Sequence, residues 1–178
     1  GNAIRTLALA LHALAQEGDV ELVSLTGGTA RNAIPPTAEA IVRTAMDERS
    51  IARLLAAEEK RFHAIYGEAD PAMKFTLHPA HEAGRVIGAE EQRALIDLLV
   101  LLRTGVHAMT HTQTGGVETS ANLGVVRMDE NEVHVAFFPR SSVNERLDEI
   151  VCEAETLAAL TGFSLVVGTA SPAWRENP

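Results

Sequence analysis

The sequence predicts an α+β fold in which helices cover one face of an antiparallel sheet. Apolar residues recur every three or four positions in four segments, which is typical of the buried side of a helix. In other segments they alternate at every second position, as in a half-buried strand. These segments follow one another in the order α-β-β-α-β, and that order occurs twice along 178 residues that are 46% hydrophobic.

The first set of elements lies in residues 1–80. Asn2 is the expected N-cap of the first helix, since its side chain can accept a hydrogen bond from a free backbone N–H, and Gly18 is the expected stop. The other elements of this half are expected in chain order: strands at residues 20–26 and 38–45, a helix capped by Asp47, and a strand at residues 73–77.

The second set lies in residues 85–170. Its helices and strands are expected in chain order: a helix at residues 89–103, strands at residues 117–128 and 132–138, a helix that Gly162 ends, and a strand at residues 163–167. Ser142 and Glu145 have the spacing of a capping box at the start of that last helix. Residues 104–116 are rich in Thr and Gly and are predicted to form a loop.

Each set is a βαββαβ unit without its first strand, which is the ferredoxin-like arrangement. The sequence therefore predicts two split βαβ half-units, at about 1–80 and 85–170, that share one antiparallel sheet with all helices on one face. Residues 171–178 are polar and rich in turn-forming residues, and they are predicted to be a linker that leaves this domain.

Composition excludes several classes of partner. A formal charge of −9 with scattered Lys and Arg argues against nucleic acid, which requires clustered basic residues. No apolar run approaches the roughly 18 residues of a membrane span. The single cysteine, Cys152, suits a reducing cytoplasm, and its place in a helical pattern predicts a buried structural thiol.

No complete catalytic set and no metal site is expected in this chain. His107 and His111 are four residues apart but lie in the predicted loop, where that spacing does not place two imidazoles on one helix face. His78 and His81 surround Pro79 near Glu82, and a loop without metal is the better interpretation there too.

Four residues are candidates for binding a ligand. Asn32 lies in an extended segment before Pro35 and can bind a peptide group, or it can satisfy a turn. Arg140 stands where a strand meets a helix, as a carboxylate clamp or as an exposed rim arginine. Thr119 and Asn122 point to opposite faces of one strand. Asn122 lies on the polar face, which either a ligand or solvent can contact. Gly124 permits another backbone to come close to that strand.

Several stretches, taken together, resemble the aminoacyl-histidine (Xaa-His) dipeptidases, a branch of the dinuclear zinc peptidases. The matching stretches cover nearly the whole chain: Gly1-Asn2-Ala3, Arg31-Asn32-Ala33-Ile34-Pro35, Val117-Glu118-Thr119-Ser120, Asn122-Leu123-Gly124, Arg140-Ser141-Ser142 and Pro172-Ala173-Trp174. The Asn-Ala-Ile-Pro and Glu-Thr-Ser-x-Asn-x-Gly pieces are fairly specific, whereas the helix opening is not. The sequence departs from the family pattern at residues 106–116.

The resemblance implies that this chain is the lid domain of a zinc-dependent dipeptidase, without catalytic or metal-binding residues of its own. Zinc, its ligands and the general base would belong to a flanking catalytic domain, where a zinc-activated water attacks the dipeptide. Asn32 and Arg140 correspond to residues that contact the substrate and its carboxylate in related enzymes, with Thr119 and Asn122 beside them. The resemblance also implies a homodimer, and no hydrolysis by the 178 residues alone.

Two alternatives remain open from the sequence. One is a stand-alone ferredoxin-like module that binds an amino acid or serves only for association, without catalysis. The other is a lid from another branch of the same peptidases, such as a tripeptidase or a deacylase.

Overall fold

The computed structural model describes residues 1–80, 84–110, 115–129 and 132–169. These residues form four helices and five strands, which are, in chain order, α1 (Ala3–Glu17), β1 (Val20–Gly27), β2 (Ala38–Thr44), α2 (Glu48–Tyr66), α3 (Ala89–Leu101), β3 (Gly105–Met109), β4 (Val117–Met128), β5 (Val133–Ser141) and α4 (Asn144–Thr161). All strand pairs are antiparallel, as the alternating patterns predicted. No helix among these residues is long and apolar enough to span a membrane.

Strand β4 is the centre of the sheet. One of its edges pairs with β5 from Thr119 to Met128. The other edge is shared, because β3 pairs with it only as far as Ala121 and β1 pairs with it only at Val126 and Arg127. Strand β2 continues the sheet beyond β1. The four residues of β4 between β3 and β1 are therefore left without a strand partner on that edge.

The helices cover one face of this sheet. Helix α1 packs against α2, α3 and the strands below it, and α3 packs against α4. One core cluster joins both halves of the chain, with Ile4 of α1 and Leu99 of α3 over Leu25 and Leu123 of the sheet. All four of these side chains are fully buried. The opposite face of the sheet carries the other side chain of each alternating pair and no described helix.

The cap residues of the first two helices act as predicted. The Asn2 side chain accepts a hydrogen bond from the Arg5 amide at 3.1 Å and thereby begins α1. Asp47 accepts from the amide and the hydroxyl of Ser50, and the Ser50 hydroxyl is the largest cause that holds the Asp47 pKa below its usual value. Gly162 ends α4 with a left-handed backbone (φ +74°), as its position predicted.

Two predicted strands, at residues 73–77 and 163–167, are wrong. In a split βαβ unit the last strand pairs with the first, and in the described part of the chain no strand lies directly before α1 or between α2 and α3. The first segment is instead held by side chains of α2, where Glu59 accepts from the Phe75 amide. The second segment leaves Val166 90% exposed.

Three smaller predictions also need correction. The predicted loop at residues 104–116 contains the short strand β3. Its register with β4 shifts twice, so its residues do not show the alternating pattern by which a strand is predicted. The Ser142 capping box does not form, because α4 begins after Val143, whose amide donates to the Ser141 hydroxyl at 3.0 Å. Cys152 is exposed, since it lies on the solvent side of α4.

The two-fold repeat of elements is only partial. The first half has the order α-β-β-α and the second half has α-β-β-β-α. The division at about residue 80 stays a prediction, and the predicted linker at 171–178 lies outside the described residues. The α+β class and the antiparallel sheet with helices on one face are confirmed.

Candidate functional site

The four predicted binding residues lie around one part of the sheet, at the middle and the N-terminal half of β4. Asn32 is exposed in the loop of residues 28–37 that connects β1 to β2, and Arg140 is exposed near the end of β5. Asn122 lies in β4 directly opposite Phe138 of β5. Thr119 also lies in β4, but only 1% of its surface is exposed.

Arg140 and the loop that bears Asn32 meet on the sheet face that is free of helices. Phe137 packs into the core, so the alternation along β5 turns Phe138 and Arg140 to the other face. The guanidinium carbons of Arg140 and Arg31 lie 5.1 and 5.2 Å from the centre of the Phe138 ring. These are cation–π distances, and they bring the two guanidinium groups to within about 10 Å of each other.

We call this cluster the Phe138 surface: Arg31, Asn32, Asn122, Phe138 and Arg140. Neither arginine forms an ion pair with a carboxylate in the parts of the chain that are described. Two unneutralised guanidinium groups on a chain of net charge −9 form a local attraction for an anion. Arginine suits a carboxylate in particular, because its planar fork of N–H donors matches two oxygens.

The amide of Asn122 is engaged within the protein. Its Nδ2 donates to the carbonyl oxygens of Arg31 at 3.1 Å and Ala33 at 2.7 Å, and its Oδ1 accepts from Nδ2 of Asn2 at 3.2 Å. Asn122 thus ties the loop and the start of α1 to the sheet.

Thr119 faces the helix side of the sheet. Its hydroxyl lies 2.9 Å from the hydroxyl of Ser141 and donates to Glu118 at 3.2 Å. Ser141 is the residue after Arg140, so this contact fixes the end of β5 that carries the arginine. The buried hydroxyl of Thr119 is thereby satisfied inside the protein.

The loop of residues 28–37 comes very close to β4. A Cβ atom placed on Gly124 would lie 2.5 Å from the Cα and carbonyl oxygen of Arg31, so only glycine permits this approach. At the other end of the loop Pro35 is buried, and its carbonyl oxygen accepts from the Ala3 amide at 3.2 Å. The close approach that Gly124 predicted is confirmed.

Two cavities lie elsewhere. One of about 440 Å³, lined mainly by apolar side chains such as Leu102, Phe137, Ile150 and Leu157, opens between α3, β3 and α4 on the helix side of the sheet. A smaller one of about 150 Å³ adjoins it beside His107 and Thr119. Neither is lined by a residue of the Phe138 surface.

The described residues do not supply a metal site. No three His, Cys, Asp or Glu side chains in the described ranges converge on one point. His107 is near the carbonyl oxygen of Arg103, at 3.2 Å, while His111, His81 and Glu82 lie outside the described residues. A zinc ion therefore does not fit the residues described here.

Sequence reasoning missed two members of the Phe138 surface and one residue that supports it. Phe138 could have been found, since it lies two residues before Arg140 and strand alternation puts both on one face. Arg31 was recognised only as a neighbour of Asn32. Asn2 was recognised only as a cap, because its contact with Asn122, 120 residues away, leaves no local signal.

The chain is similar in sequence and in structure to known peptidases. Residues 1–69 match the family described as the peptidase dimerisation domain. The chain is 30% identical over 178 residues to the cytosol non-specific dipeptidase of Escherichia coli (strain K12), covering 99% of this chain and 37% of that protein. It also superposes on the crystal structure of aminoacylhistidine dipeptidase from Vibrio alginolyticus with a TM-score of 0.82 and 30% identity, covering 91% of this chain and 33% of that one.

The family model, the curated relative and the solved structure thus agree that this chain is similar to the dimerisation domain of a dipeptidase. It spans roughly a third of the length of both relatives. The resemblance inferred from the sequence motifs is confirmed at this level.

Proposed function

We propose that this domain is the lid of a metal-dependent dipeptidase and that its Phe138 surface holds the substrate. Asn32 would bind the peptide group of an Xaa-His-type dipeptide and Arg140 its C-terminal carboxylate. The observation that carries the proposal is the meeting of Arg140 and the Asn32 loop at one ring, on the uncovered face of the sheet. An exposed polar face with two unpaired guanidinium groups suits an anionic ligand held against another domain.

Hydrolysis would take place on a catalytic domain outside these 178 residues, and zinc would be bound there. This domain contributes binding and orientation, and closure of a lid over the substrate excludes water. The names of the two relatives support a dipeptidase, and that of the Escherichia coli protein supports a cytoplasmic location. The description of the matching family supports a homodimer.

Thr119 and Asn122 have a supporting part in this proposal. Their polar atoms are engaged with Ser141 and with the Asn32 loop, so they hold the two substrate-binding residues in place. Arg31 stacks on the same ring as Arg140 and adds a second positive charge to the surface.

The test compares two substrates in the full-length protein. Arg140→Ala is expected to lower kcat/KM for an Xaa-His dipeptide but to have little effect on the matching dipeptide amide, which lacks the carboxylate. The loss of one charge-assisted hydrogen-bonded contact corresponds to roughly ten- to hundredfold. Arg127→Ala is the matched control, because Arg127 is also exposed on β4 but pairs with His134 at the far end of the strand. Equal losses on both substrates would overturn the assignment of Arg140.

The same experiment distinguishes the proposed lid from a binding module without catalysis. If the full-length protein binds histidine or a dipeptide through Arg140 but releases no free amino acids with zinc added, the non-catalytic alternative is correct. Release of amino acids that depends on Arg140 supports the lid.

A further inference from the structure

The edge of β4 has a gap between the ends of its two partner strands. Strand β3 stops pairing at Ala121 and β1 begins at Val126. The loop of residues 28–37 lies against this stretch of β4, close enough to require glycine at position 124. The loop is therefore held by the sheet at the point where Asn32 projects from it.

One side chain brackets Asn32 on both sides. Nδ2 of Asn122 has two hydrogens, and it donates to the carbonyl oxygens of Arg31 and Ala33, the residues directly before and after Asn32. The peptide group before Asn32 and the peptide group after Ala33 are thus both fixed to β4. Asn32 itself stays exposed.

The side chain of Asn2 in turn holds the side chain of Asn122. Asn2 donates from Nδ2 to Oδ1 of Asn122 and, at 2.9 Å, to the carbonyl oxygen of Leu123. Its own Oδ1 is occupied by the Arg5 amide, so Asn2 cannot turn without uncapping α1. Oδ1 of Asn122 is therefore held by the side chain of Asn2, a residue that is only 9% exposed. Because Oδ1 faces Asn2, Nδ2 of Asn122 faces the loop.

We propose that Asn122 is a positioning residue for Asn32, and that the pair Asn2–Asn122 sets the position of the substrate-binding amide. This inference rests on the proposed function, since it requires Asn32 to contact the substrate. Asn122 acts through the loop backbone and does not need to touch the substrate. A displacement of about 1 Å in a substrate-orienting group can cost on the order of a hundredfold in rate.

The test is a double-mutant cycle in the full-length protein, with kcat/KM for an Xaa-His dipeptide as the readout. Asn122→Ala is expected to lower kcat/KM by about ten- to hundredfold. In the background of Asn32→Ala the same change is expected to cost nothing further, because there is no amide left to position. A merely structural role for Asn122 would give the same fold-loss in both backgrounds, and that result would overturn the inference.

A matched control separates positioning from general loss of stability. Gln92 also holds two backbone groups with one amide, since it donates to Val20 at 2.7 Å and accepts from Leu22 at 2.6 Å, but these lie at the start of β1. Gln92→Ala is expected to lower the unfolding temperature and to leave kcat/KM within about twofold at temperatures well below unfolding. A loss with Gln92→Ala as large as that with Asn122→Ala would overturn the inference.

A second variant covers the case in which Asn122→Ala does not fold. Asn122→Asp has the same shape and still accepts from Asn2, but its carboxylate faces two carbonyl oxygens instead of donating to them. It is expected to lose as much activity as Asn122→Ala, and again nothing further when Asn32 is alanine. Wild-type activity in Asn122→Asp would overturn the inference. Unchanged activity in Asn32→Ala alone would instead refute the proposed function.

Discussion

Gly124→Ala is the sharpest test of how the loop of residues 28–37 meets the sheet. The added methyl group would lie 2.5 Å from the Cα and the carbonyl oxygen of Arg31, and 2.6 Å from its carbonyl carbon. All three are backbone atoms, so no side-chain rotation can relieve the contact. The loop must move away from β4, and the two hydrogen bonds from Asn122 must lengthen with it.

The expected cost follows from overpacking. Inserting a methyl group into a closely packed site costs typically about 1–3 kcal/mol, and a contact with backbone alone belongs at the upper end. For a domain of this size, about 3 kcal/mol lowers the unfolding temperature by roughly 6–12 °C.

The assay is thermal unfolding of the 178-residue chain, followed by circular dichroism. Gly168→Ala is the matched control, since a Cβ there meets no described atom within 4 Å and is expected to leave the unfolding temperature unchanged. If Gly124→Ala and Gly168→Ala unfold at the same temperature as the wild type, the loop does not lie against β4 as described. Asn122 could then not hold Asn32 in place as proposed.

Three further predictions test other parts of the fold. Gln92→Leu leaves the buried Leu22 amide without its acceptor and is expected to cost about 1–3 kcal/mol in urea unfolding. Asp47 has a lowered pKa in the folded chain, so its stabilising effect is present above the unfolded pKa and is lost as pH falls through the folded one. Asp47→Asn keeps the cap and is expected to lose less stability than the wild type over that acid range, as measured by unfolding at each pH. Cys152 is exposed and is expected to react with an alkylating reagent in the native chain at nearly the rate seen in urea; strong protection would contradict its position.

Elements with a complete local signal could be predicted from the sequence. Helix α1 has a cap, a periodic apolar side and a glycine stop, and β4 alternates from Glu118 to Leu123, so the bounds of both could be predicted within a residue. Gly124 was read correctly as a place of close backbone approach, because a glycine inside a strand has few other uses.

Elements whose state depends on a distant partner could not be predicted. The segment at residues 163–167 has the composition of a strand, but a strand exists only where another backbone accepts and donates its hydrogen bonds. Strand β3 has the reverse problem, since its sequence is irregular and the partner β4 makes it a strand. The side chain of Cys152 is exposed because it lies on the outer side of α4. The apolar pattern of a helix places its buried side only to within about one residue, so it does not predict which side Cys152 occupies.

The candidate site shows why the two halves of the chain cannot act separately. Arg31 and Asn32 come from the hairpin loop of the first half, whereas Phe138 and Arg140 come from β5 of the second half. Among the described residues, β1 and β4 pair at two positions, and this short pairing does not fix the loop by itself. Asn122 fixes it by hydrogen bonds and Gly124 by the absence of a side chain, in the stretch of β4 where neither β1 nor β3 pairs with it. The Phe138 surface thus joins both halves of the chain where the partner of β4 changes from β3 to β1.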